Sequence, residues 1–197
     1  MTEPASETER FIEEIRREFP SFRVIHKRDD GFSKLIDAAL KVVTLGGQRE
    51  YMTHYHTVIA NRLYVPTCWS REDDLDRVIV LRHERVHLRQ SKRYTFVGMA
   101  FLYLVPFFPV GLAYGRARIE WEAYTESIRA TAELRGLDAA KSPSLRKHIV
   151  KQFMSAAYGW MWPFEGQVQR WYDEALKVIE AEISTKGERP EYDAATP

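Results

Sequence analysis

The chemistry-bearing residues of this chain begin with His83-Glu84-Arg85-Val86-His87, inside a run from Asp74 to Gln90 whose pattern predicts a helix. Two histidines four positions apart stand one above the other on a helix face, so both imidazoles reach one metal ion. Glu84 lies about a quarter-turn round, within reach of a water on that ion. His-Glu-x-x-His is the pattern of helices that hold zinc and use the glutamate as general base. The plainer reading is a polar helix that carries two histidines. A catalytic zinc site takes three protein ligands and leaves one position open, so a third ligand must come from elsewhere in the chain.

The segment after the signature helix supplies the candidates. Gly115 to Gly136 reads as a long helix bearing Glu120, Glu122, Glu126 and Glu133. At 100° per residue, Glu122, Glu126, Arg129 and Glu133 share a face with Arg118, as on a solvated surface. Glu120 instead shares a face with Ala117, Ala123, Tyr124, Ser127, Ile128 and Thr131. A carboxylate on a small, apolar face needs a partner or a metal. The alternatives are a buried ion pair with Arg82 and a zinc site completed by His83 and His87, and we expect zinc.

Other elements must position these groups. Ser6 to Phe19 is expected to be an amphipathic helix with Phe11, Ile12, Ile15 and Phe19 inward, a capping box between Ser6 and Glu9, and Pro20 as its stop. Phe22 to His26 reads as a short strand, Asp29-Asp30-Gly31 as a turn and Ser33 to Leu45 as a helix. Tyr51-MTHYHTVIANRLYVP reads as a β-hairpin with strands near 52–59 and 62–65, and Pro66 suggests a sheet edge. His54 and His56 point to one face; exposed strand histidines are the plain reading, and site-lining residues the alternative. On the signature helix, Leu75, Val78, Ile79 and Val86 are the expected buried stripe, with His83 and His87 at its edge. Arg82 and Arg89 fall close to it, placed for a buried carboxylate or for lipid headgroups.

Thr95 to Tyr114 contains no charged residue and is long enough to span a membrane. If His87 and Glu120 share an ion, the segment must return to the side it left. Pro106-Phe107-Phe108-Pro109 is the expected reversal, and each arm is then too short to cross. Arg89, Lys92 and Arg93 before it, and Arg116 and Arg118 after it, suit a hairpin dipping into an anionic leaflet. A hairpin packed in the core or at an oligomer interface fits as well. After Gly136, Ser144 to Tyr158 and Phe164 to Ile183 read as helices, and the aromatic stretch between them as core packing.

Composition restricts the class. Hydrophobic residues make up 45% and charged residues 29% of the 197, as in a folded domain. The net charge of +1 gives no global pointer to nucleic acid. One cysteine, Cys68, permits no internal disulfide, which fits a reducing compartment. The acidic N-terminus lacks an apolar h-region and does not read as a secretory signal. We expect a single domain over 1–184, with its core at about 20–135, the apolar insertion at 95–114, C-terminal helices at 141–184 and a polar tail at 185–197. The expected location is the cytoplasm or the cytoplasmic face of a membrane.

With these residues placed, the chain resembles the gluzincin metallopeptidases, most nearly the CAAX-prenyl-protease-like and minimal gluzincin groups. The resemblance covers roughly residues 50–135. It is carried by the signature at 83–87, by the strand-like Thr57-VIANRLYVP before it, and by Glu120-Trp121-Glu122-Ala123-Tyr124, which is similar to a Glu-x-x-Ala-Asp pattern with Tyr124 in place of the Asp. It implies a predominantly helical α+β fold in which a small edge hairpin or sheet packs on the signature helix and the Glu-bearing helix. It implies Zn2+ on His83, His87 and Glu120, Glu84 as general base, and a peptide substrate lying along the edge strand. The second donor to the oxyanion is open among Tyr124, His54, His56 and Arg116. A non-catalytic scaffold on the same fold, with or without metal, is the alternative function, and a zinc hydrolase of non-peptide bonds a third.

Overall fold

The computed structural model describes residues 5–27, 56–59, 61–104, 113–154 and 161–187. The fold they form is predominantly helical with one small sheet. Helix α1, Glu7–Glu18, starts at the expected capping box: Ser6 accepts from the Glu9 amide and Glu9 accepts from the Ser6 amide. A second cap comes from far along the chain. The carboxylate of Asp74 accepts from the Glu7 and Thr8 amides at 2.8 and 3.3 Å, which ties the start of α1 to the start of the signature helix.

Strands β1 (Arg23–His26), β2 (Thr57–Ile59) and β3 (Arg62–Val65) form a sheet of order β1-β3-β2. The hairpin pairs Thr57 with Tyr64 and Ile59 with Arg62, within the spans expected for its two strands. The edge expected beside Pro66 is not at 62–65. β3 is the central strand, covered by β1 in parallel from Arg23↔Arg62 to His26↔Val65. Such pairing joins distant segments and leaves no local pattern in the sequence. The turn at 29–31, the helix at 33–45 and His54 lie outside the described residues.

A 3-10 turn, Trp69–Arg71, leads into α2, Asp74–Leu104, which carries the signature. The buried stripe is rotated from the expected one. Val78, Leu81 and Leu88 are buried, while Leu75, Ile79 and Val86 are only half-buried. The reason is that α2 is covered from two directions. Leu81 and Leu88 pack with Ile15 of α1, Phe19 and Phe22 of the link to β1, Leu63 and Val65 of β3, and Trp69 of the 3-10 turn. Helix α3, Tyr114–Arg135, covers another side, so no single stripe describes the burial.

The helical path of α2 breaks at Thr95, where φ is 62° and ψ 165°. That conformation costs a β-branched residue about 1–3 kcal/mol. It falls where the charged part of the helix ends and the uncharged run begins, and Thr95 Oγ1 accepts from the Gly98 amide at 3.4 Å to cap the apolar helical turns beyond the break. The reversal expected at 106–109 lies outside the described residues. Among the described residues, no helix is long and apolar enough to cross a membrane.

Helix α3 ends at Gly136, whose φ of 89° favours glycine. Helix α4, Leu137–Ala140, comes next, then α5, Pro143–Met154, and α6, Glu165–Gly187. These build a second core in which Ile128, Phe153, Met161, Val168, Tyr172 and Ile179 are buried. The Tyr172 hydroxyl donates to the Ala140 carbonyl at 2.6 Å and holds α6 to the α4 turn. Met161 and Trp162 are core residues, as expected, whereas Phe164 is exposed.

Candidate metal centre

The antiparallel pair α2 and α3 brings the sequence-selected groups together. His83 and His87, one turn apart, turn their Nε2 atoms toward each other at 3.2 Å. Glu120 Oε2 stands 3.6 Å from the His87 Nε2 and 3.9 Å from that of His83. Among the described residues this is the one group of three such donors within 4.8 Å of one another. Its members come from the faces that periodicity assigned. Ala117, Ala123, Ser127, Ile128 and Thr131 are buried on the Glu120 side of α3, and Glu120 is buried among them.

The alternative partner for Glu120 is engaged elsewhere. Arg82 donates to Glu126 at 2.7 Å and to Glu133 at 2.6 Å, so two carboxylates expected on a solvated face are in fact bridged to α2. Arg129 extends this network from Glu126 to Glu182 on α6. Arg89 and Arg85 both bind Glu18 of α1. The arginines beside the signature thus hold neighbouring helices.

Two residues outside the signature fix how the imidazoles present themselves. Gln90 Nε2 donates to the Ile119 carbonyl at 3.1 Å and to Glu122 at 2.7 Å. Both partners are pure acceptors, so the amide oxygen must face His87 Nδ1, 2.9 Å away. His87 therefore carries its proton on Nδ1. His83 Nδ1 lies 3.0 Å from Ser127 Oγ, whose own hydrogen points to the Ala123 carbonyl at 3.3 Å, so His83 is likewise a donor at Nδ1. Both Nε2 lone pairs then face each other and the Glu120 carboxylate.

The electrostatics reflect that crowding. Burial pushes His83 down to about 3, with His87 acting in the same direction. At His87 burial opposes protonation, but Glu120 outweighs it and raises the pKa to about 9. Glu84 is buried on the same helix, and burial, with Glu120 adding to it, lifts its carboxyl to about 7. Three acceptors thus converge on one point and take up a positive charge there.

The candidate second donors are placed unequally. The Tyr124 ring meets His83 edge-on at 4.8 Å and Phe153 on its other side at 5.7 Å. His56 is packed edge-on against Trp69 at 5.3 Å, with Nε2 3.9 Å from Glu72, and burial lowers its pKa to about 4. It stands directly before β2, which lies against α2. Arg116 stands one turn before Glu120 on α3.

Gln90, Ser127 and Lys27 were not singled out in the sequence. Gln90 is three residues after His87 and Ser127 seven after Glu120, so helical spacing alone places Gln90 on the His87 face and Ser127 on the Glu120 face. Lys27 gave no such signal. It is fully buried just after β1, and its charge acts on both Glu84 and His56. Compared with known proteins, the chain matches no family model, no curated protein and no solved structure.

Proposed function

We propose that this protein is a zinc-dependent metallopeptidase of zincin-like architecture, with His83, His87 and Glu120 as metal ligands. The observation that carries the reading is the triangle of 3.2, 3.6 and 3.9 Å between two Nε2 atoms and one carboxylate oxygen. Donors about 2.0–2.1 Å from a tetrahedral zinc stand about 3.3 Å from one another, which fits this triangle. The donor types, two imidazoles and a carboxylate, suit the same ion, and the Gln90 and Ser127 bonds are the outer partners that such ligands need.

A zinc ion held there supplies an acidified water and a Lewis acid for a substrate carbonyl. Glu84 is buried beside the ligands without being part of the triad. Its carboxylate would take the proton from the attacking water and deliver it to the leaving amine. Tyr124, in ring contact with His83, is the residue we assign to the developing oxyanion. An extended peptide pairs along β2, since among the described strands β3 has neighbours on both sides and β2 is an edge that lies against α2.

The test is a Glu84→Gln variant assayed on unstructured protein substrates. It should keep its metal while hydrolysis falls at least about a hundredfold. Hydrolysis at the wild-type rate in the variant would refute the mechanism. A metal-loaded wild type that cleaves no peptide would favour the non-catalytic scaffold instead.

A further inference from the structure

We propose that the end of the molecule where the charged part of α2 stops and α3 begins is a docking surface for an anionic lipid bilayer. The Gln90 bond to the Ile119 carbonyl fixes the antiparallel register of the two helices. Tyr94, one turn beyond Gln90, therefore lies level with the first turn of α3, where Tyr114 stands. The Tyr114 ring is 5.4 Å from Trp162, and Trp162 is 5.3 Å from Phe164, so the loop before α6 joins the same end. Tyr94, Tyr114 and Phe164 are 36%, 51% and 49% exposed, and they are three of the four large hydrophobic residues exposed among the described residues. Single exposed aromatics need no explanation; a cluster gathered at one end does.

The charge around this cluster selects the partner. Lys92, Arg93 and Arg118 are exposed there, and the Arg93 guanidinium lies 5.3 Å from the Tyr94 ring centre. The acidic groups nearby are Glu165 and Glu122, the latter bonded to Gln90. Protein interfaces are depleted of lysine at their centres, whereas aromatic side chains ringed by Lys and Arg suit a headgroup layer with anionic lipid. The uncharged run that begins at Thr95 starts from this same end, where α3 also begins. Its helical part from the Thr95 break to Leu104 is about 14 Å long, under half of the roughly 30 Å hydrocarbon thickness. That length suits entry into one leaflet.

His87 is seven residues, about 10 Å along the helix, from Tyr94. On the metallopeptidase reading, the substrates that reach the centre are polypeptide segments close to the bilayer surface. The surface itself stands independently of that reading.

The test is co-sedimentation of the full chain with vesicles of phosphatidylcholine and of phosphatidylcholine mixed with phosphatidylglycerol. Binding should be at least about tenfold stronger to the anionic vesicles. Tyr114→Ser with Phe164→Ser should lower it about tenfold. Lys92→Gln with Arg93→Gln alters only exposed side chains, so it tests the same surface should the first pair disturb folding; it should remove the preference for anionic vesicles. No sedimentation with either vesicle, or binding unchanged in both variants, would overturn the proposal. Lipid-free dimerisation abolished by the double serine variant, without vesicle binding, would also overturn it and give the face to a second copy of the chain. Because the readout is lipid binding alone, its failure leaves the metal reading standing, and loss of the metal reading leaves this one testable.

Discussion

Gln90 Oε1 lies 2.9 Å from His87 Nδ1, while the same amide reaches across to α3 through Ile119 and Glu122. One side chain thus sets the tautomer of His87 and the spacing of the two helices that carry the triad. Replacing Gln90 by Leu should lower zinc affinity about 10–100-fold, the usual cost of losing an outer partner. Gln90→Glu keeps an acceptor for Nδ1 but sets a carboxylate against the Ile119 carbonyl and Glu122, so it should also weaken zinc binding. Competition with a chromophoric chelator measures both, and equal affinities in wild type and Gln90→Leu would remove the positioning role.

Arg82 precedes the signature, and its guanidinium is held by Glu126 and Glu133. It is only 17% exposed, and Arg82→Met removes this cation from Glu133 and from Glu126, which keeps Arg129. The expected loss is about 1–3 kcal/mol in urea unfolding, with the zinc content per folded chain unchanged. A drop in zinc content at unchanged stability would instead make Arg82 part of the site.

Glu18 links α1 to the signature helix. The hydrogen bond from Arg89, helped by Arg85, holds its pKa at about 2 against an ordinary 4.5. A carboxylate whose pKa is lower in the folded state stabilises fully above its unfolded value and loses that contribution as pH falls through the folded value. Glu18→Gln should therefore be less stable than wild type at neutral pH. The gap should narrow between about pH 4.5 and 2 and close below that. Unfolding curves across this range test it, and a gap that stays constant would show that the pairing contributes nothing through ionisation.

Local chemistry made much of this arrangement legible before any coordinates. The Ser6–Glu9 box, the hairpin ending at Val65 and the inward face of Glu120 are all set by side chains within a few residues of one another. What stayed hidden was set across the chain. The parallel pairing of β1 with β3, the burial of Leu81 and Leu88 from two sides, and the bridging of Arg82 to Glu126 depend on which elements meet. Lys27 is the plainest instance: nothing beside it in the sequence marks a lysine whose charge reaches Glu84.

The triad of His83, His87 and Glu120 is tested most simply by metal analysis of the purified wild type beside Glu120→Ala, with circular dichroism to confirm that both are folded. We expect about one zinc per wild-type chain and an affinity at least about a hundredfold weaker in the variant. A folded wild type that binds no zinc, or a Glu120→Ala variant that holds it as tightly as wild type, would contradict the assignment.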